Sequence, residues 1–160
     1  MLGLTRKTDY ALIALTHMVR AGESVSSARE MATCYRMPLP LLMNVLKALT
    51  QSGLVRSSRG PKGGYTLAGN AEDITLSQLI DAIEGRPALV QCARDHDEPE
   101  QGCDLVDVCP IRSPVHKVHN RLQRFLHEIT LADIAGPRGK DDATEDGATA
   151  ARSNLEVQAS

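Results

Sequence analysis

Residues 54–68 constrain the fold most, because two short β-prone runs, Leu54-Val55-Arg56-Ser57-Ser58 and Tyr65-Thr66-Leu67-Ala68, flank the basic, glycine-rich Arg59-Gly60-Pro61-Lys62-Gly63-Gly64. Two such runs around a Gly/Pro-rich tip read as a β-hairpin. Three helical segments precede it. Between residues 4 and 20, Tyr10, Ala11, Ala14, Leu15, Met18 and Val19 recur on one helical face, while Arg6, Lys7, Asp9 and Arg20 fall outside it. Ser27-x-x-Glu30 reads as a capping box opening a short second helix lined by Ala28, Met31, Ala32 and Tyr35. Met37-Pro38-Leu39-Pro40 forces a turn, since each proline pushes its predecessor out of the α region. A third helix then runs from about Pro40 to Gln51 and is closed by Ser52-Gly53. Helix, short helix, turn and helix followed by a hairpin is the order of a winged helix-turn-helix.

Aromatic residues are 2% of the chain, so the core is built from aliphatic side chains, which suit helix packing better than a large sheet. The expected fold is mainly α with a small β-hairpin wing. Thr75 caps a further helix to about Glu84, with Leu76, Leu79, Ile80 and Ile83 spaced for burial and Gly85 as its stop. Pro114 sits where a first helical residue would and opens a long helix to about Glu128. Along it Val115, Val118, Leu122, Phe125 and Ile129 alternate at three and four residues, the spacing of a helix-pairing seam. That stripe reads as a dimerisation surface, with packing on its own domain as the other reading. The organisation is therefore 1–84 as a winged-helix DNA-binding domain, 85–112 as a ligand-binding loop, 113–135 as a dimerisation helix with a C-terminal turn, and 136–160 as a disordered tail.

Charge is divided along the chain. Residues 1–70 hold nine Lys or Arg against three Asp or Glu, and residues 71–160 hold nine against seventeen. A basic amino-terminal half favours a polyanion such as double-stranded DNA, although an unevenly charged solvated surface explains the numbers as well. In the third helix Asn44 and Lys47 are the polar side chains suited to base edges or phosphate, against a background of Leu39, Pro40, Leu41, Leu42 and Met43. In the hairpin, Arg59 and Lys62 stand on a tip whose Gly60 and Gly63 permit close approach to a groove or phosphate. No apolar run reaches the roughly 18 residues of a membrane helix, and no export signal opens the sequence, so the expectation is a cytoplasmic protein without membrane contact.

Cys92-x10-Cys103-x5-Cys109 lies in a stretch with no helical or strand periodicity. In the expected compartment a structural disulfide is disfavoured. Three thiolates on one segment suit either an iron-sulfur cluster or zinc, with incidental free thiols as the bland reading. Asp95, Asp97, Glu98, Glu100, Asp104 and Asp107 repel one another there, and a bound metal would supply the energy to close the loop. Cys34, on the second helix, reads as a half-buried structural thiol. No nucleophile-base motif or phosphate loop is present, so an enzyme is not expected. His116, His119 and His127 read as faces of the long helix.

Leu4-Thr5-Arg6-Lys7-Thr8-Asp9-Tyr10-Ala11, the wing Arg59-Gly60-Pro61-Lys62-Gly63-Gly64-Tyr65 and the ending Phe125-Leu126-His127-Glu128-Ile129-Thr130-Leu131-Ala132-Asp133 together resemble the Rrf-two family of iron-sulfur transcriptional regulators. The likeness spans about residues 2–135. It implies a winged-helix homodimer that binds an operator and holds a 2Fe-2S or 4Fe-4S cluster on Cys92, Cys103 and Cys109, completed by a non-cysteine ligand. It further implies regulation by iron supply, oxygen or nitric oxide. The loop departs from the family by its long first spacing. Where one branch has a His ligand three residues after the last cysteine, this chain has Arg112, whose protonated guanidinium cannot ligate. Asp9 falls where another branch takes its fourth ligand from the partner subunit, though Ile13 stands where some branches carry a basic residue. Asp9 also reads as a first-turn carboxylate favoured by the helix dipole, and His96 is the next candidate ligand. The alternative function is a zinc-stabilised winged-helix interaction module without sensing.

Overall fold

A computed structural model describes residues 4–60, 63–86, 88–90, 104–105 and 108–136. Lys62, Cys92, His96, Cys103 and the segment expected to be a disordered tail, from residue 137 onward, lie outside the described residues. The elements are α1 (Arg6–Ala21), α2 (Ala28–Cys34), α3 (Leu39–Gln51), β1 (Val55–Ser58), β2 (Gly64–Leu67), α4 (Leu76–Glu84), α5 (Arg112–Glu128) and α6 (Leu131–Ala135). Mainly α with one antiparallel hairpin is the fold class expected from the sequence.

α1 is the central element, packed against α3, α4, α6 and β2. Its face Ala11, Ala14, Leu15, Met18 and Val19 is buried, as the spacing requires. Leu42, Val45, Leu46 and Leu49 of α3 and Leu79 and Ile80 of α4 close the core around it. Each such large aliphatic side chain contributes about 1.5–3 kcal/mol by leaving water. Thr5 caps α1 by accepting from Lys7 N at 3.2 Å, and Thr75 and Gln78 form a reciprocal capping box on α4.

The box expected at the second helix does not form. Ser27 is the N-cap, but its side chain makes no capping hydrogen bond. The residue before it pairs with the hairpin: Ser26 N donates to Tyr65 O and Tyr65 N donates to Ser26 O, both at 2.9 Å. This bridge adds one residue pair to the free edge of β2, whose other edge pairs β1 in the register Val55↔Leu67 to Ser58↔Gly64. Gly64 is required there, because a Cβ would run into the Ser26 backbone and the Val25 side chain. His17 Nδ1 and the Tyr35 hydroxyl, 3.2 Å apart, join α1 to the end of α2. Burial pushes the Tyr35 phenol up, the neighbouring Cys34 pushes in the same direction, and Arg20 opposes both.

The long helix begins earlier than expected, at Arg112, which places Pro114 third in the helix. Proline is still accommodated, since first-turn amides have no intrahelical partner to lose. The apolar stripe of α5 divides. Leu126 is buried and Leu122 packs against the core, whereas Val118 and Phe125 are each 56% exposed. The helix therefore serves its own domain with one side of the stripe and leaves the other side open. α6, capped by a second reciprocal box between Thr130 and Asp133, docks beneath α4 through Leu131 N to Ile74 O at 2.7 Å and Leu76 N to Ile129 O at 2.8 Å.

Candidate DNA interface and cysteine loop

α3 and the hairpin form the first candidate surface. Leu42, Val45, Leu46 and Leu49 fix the inner side of α3, which turns Pro40, Asn44 and Lys47 outward, all exposed. Leu41 and Met43 flank that outward side and are 44% and 43% exposed. The Tyr65 hydroxyl donates to Met43 Sδ at 4.0 Å, a weak contact between α3 and β2. Arg56 and Arg59 are exposed on the hairpin, and Gly60 turns its tip at φ +123. Gly63 N donates to Gly60 O at 2.9 Å, and a Cβ on Gly63 would collide with the Ser58 carbonyl, so the tip closes only with glycine there. Gly60 and Gly63 thus build the tip that carries Arg59.

The second candidate site starts from the end of the cysteine loop. Cys109 is half-buried with a free thiol and shares a cleft with Pro110, Arg112, Ser113 and His116. His116, which also lines this cleft, has its Nε2 buried without a hydrogen-bond partner. A thiol and an uncommitted imidazole are donors that fit iron or zinc. Asp9 is exposed on the first turn of α1. Among the described residues no three His, Cys, Asp or Glu side chains gather closely enough to hold a metal, so Asp9 and Cys109 do not form such a group within the described part of one chain. Cys34 is exposed, which corrects the expectation of a half-buried thiol.

One arrangement had no signal in the sequence. Glu84 Oε1, at the last residue of α4, accepts from Thr5 N at 3.0 Å, Thr5 Oγ1 at 2.6 Å and Thr8 Oγ1 at 2.7 Å. These bonds hold the Glu84 carboxyl below its ordinary range, the Thr5 and Thr8 hydroxyls being the largest causes. They bind the first turn of α1, where Asp9 sits, to the point where the chain leaves α4 for the cysteine loop. Glu84 and Thr5 are 79 residues apart, and neither periodicity nor capping rules pair residues at that distance.

A family model described as Rrf2, iron-dependent transcriptional regulator, matches residues 4–137. The chain belongs to this family. It is 29% identical to the transcriptional regulator NsrR of Halalkalibacterium halodurans over 132 residues, covering 82% of this chain and 88% of that one. Among solved structures it resembles CymR, the global cysteine regulator of B. subtilis, with a TM-score of 0.64 and 25% identity over 84% of this chain and 97% of the other. T. potens IscR superposes with a TM-score of 0.62 and 27% identity, covering 83% of this chain and 85% of that one. These neighbours are Rrf2 winged-helix regulators, and the present chain is an Rrf2-family transcriptional regulator. No described helix is long and apolar enough to cross a membrane.

Proposed function

We propose that this Rrf2 protein is a homodimer that binds a double-stranded operator in the cytoplasm and senses the state of an iron-sulfur cluster, 2Fe-2S or 4Fe-4S. Cys92, Cys103 and Cys109 hold the cluster, and Asp9 of the opposite subunit completes it. The observation that carries the reading is Cys109, half-buried and three residues before the start of α5, in a cleft lined also by His116, whose Nε2 is buried without a partner. Membership of a family described as iron-dependent supports iron over zinc.

The cluster supplies a centre that oxygen, nitric oxide or iron shortage can alter. The chain's own residues do the rest. Cys109 fixes one edge of the site to α5, while the exposed Val118 and Phe125 of that helix offer the surface on which a second copy packs. Asp9, on the first turn of α1, ties the opposite domain to the site, and Glu84 carries the tie into α4. Arg59 and Lys62 approach a groove or phosphate from the wing, Gly60 and Gly63 give that tip its closeness, and Asn44 and Lys47 enter the major groove. A change at the ligand shared by two subunits then alters the spacing of the two reading helices, and operator half-sites tolerate little such change.

Anaerobic purification followed by absorption and Mössbauer spectroscopy tests the reading, with gel-shift affinity measured before and after cluster removal. A brown protein whose operator affinity changes on cluster loss is expected. A colourless, zinc-containing or metal-free protein with unchanged affinity rejects sensing and leaves the zinc-stabilised interaction module or a cluster-free regulator.

A further inference from the structure

The outward side of α3 carries two large apolar side chains that the core does not use. Leu41 and Met43 are 44% and 43% exposed, while Leu42 between them is fully buried. With about 100° between successive residues, Leu41 and Met43 stand on opposite flanks of the outward side, and Asn44 and Lys47 lie between them. Exposed Arg29, Arg36, Lys47, Arg56 and Arg59 lie on α2, the turn after it, α3 and the hairpin. An apolar pair on a helix that also presents Lys47 and packs beside a hairpin presenting Arg56 and Arg59 suits a polyanion that also offers apolar groups, and an apolar protein surface would gain nothing from the cations.

We propose that Leu41 and Met43 are specificity-determining residues that read thymine C5-methyl groups in the major groove, so that each operator half-site carries thymines beside the position read by Asn44. This rests on the reading of α3 as the helix that enters the groove. Thymine is the one base that presents a methyl group there, and aliphatic side chains recognise it by excluding water. Met43 Sδ accepts a weak contact from the Tyr65 hydroxyl, which places this side chain beside β2. An unbranched thioether there fits more than one methyl position, whereas Leu41 is the more selective member.

The test uses full-length protein and a duplex that it selects from a randomised double-stranded library. Each thymine of the selected half-site is then replaced singly by deoxyuridine, which removes the C5 methyl and keeps every hydrogen-bonding group. One or two replacements per half-site should weaken binding about fourfold each, the worth of one buried methyl-sized group. Leu41→Ala and Met43→Ala, both at exposed positions, should each abolish the response at one of those thymines while melting like the wild type. The proposal is overturned by a selected motif without thymine, by affinities indifferent to every deoxyuridine, or by variants that keep the full response. Failure to enrich any sequence overturns the reading of α3 as well, which separates the two failures.

Discussion

Thr8 Oγ1 donates to Glu84 Oε1 at 2.7 Å across the α1–α4 interface, and Thr8 is completely buried. The carboxylate lies at the amino end of α1, where the helix dipole favours negative charge. Removing it strands a buried hydroxyl. Glu84→Ala should cost about 1 kcal/mol, or roughly 3 °C in Tm, read by thermal denaturation; an unchanged midpoint would show the clasp to be ornamental.

The same clasp sets a pH dependence. The folded state holds the Glu84 carboxyl below its ordinary value of 4.5, so its contribution is complete above 4.5 and is lost as pH falls below that value through the lower folded one. Asp133, held down by the Thr130 N–H and hydroxyl, acts in the same direction. Stability measured between pH 6 and about pH 3 should fall less steeply in Glu84→Gln than in wild type. Identical slopes would remove Glu84 from the account.

Cluster retention should require Cys92, Cys103 and Cys109 singly, while Cys34→Ala retains full iron and sulfide, because Cys34 sits exposed on α2. Anaerobic iron and sulfide analysis of the four variants decides this. Wild-type content in any of the three loop variants refutes the ligand set.

Val118→Lys and Phe125→Lys should disperse the dimer without unfolding the chain, since both side chains are already exposed in one subunit. Leu122→Lys should do both, because Leu122 packs against the core. Sedimentation combined with circular dichroism separates the outcomes, and a dimer that survives the first two changes rules out this face.

Asp9→Ala should leave some cluster on the three thiolates yet lose most of the difference in DNA affinity between holo and apo protein. Arg59→Ala should weaken binding more than Lys47→Ala at one fixed salt concentration, since a wing arginine at a groove adds hydrogen bonds to charge. Gel shifts at matched cluster content check the first claim, with full coupling in the variant pointing instead to His96 or an exogenous ligand. Equal losses at Arg59 and Lys47 would argue against a wing-led mode.

The order of helices, the hairpin and the buried face of α1 were legible in the sequence because each follows from local periodicity and turn chemistry. The Ser27 box has the right residues at the right spacing yet its capping hydrogen bond does not form, and the adjacent Ser26 pairs with Tyr65, a partner set by the return of the chain rather than by sequence neighbours. The division of the α5 stripe escaped for a similar reason. Spacing shows that Leu122 and Phe125 share a side of the helix, but only the position of α4 decides which of them the domain covers. The Thr5, Thr8 and Glu84 clasp is another long-range product of packing.

The bridge between Ser26 and Tyr65 has a kinetic meaning for target search. The Tyr65 N–H and C=O are both committed to Ser26, and the other edge of β2 is paired with β1, before any DNA arrives. The entropy of ordering this strand up to the tip is then spent during folding and not at the encounter. Amide exchange at Tyr65 and Ser26 should be slow in the free protein and change little on the operator, leaving only the tip around Arg59 to adapt as the protein scans one site after another.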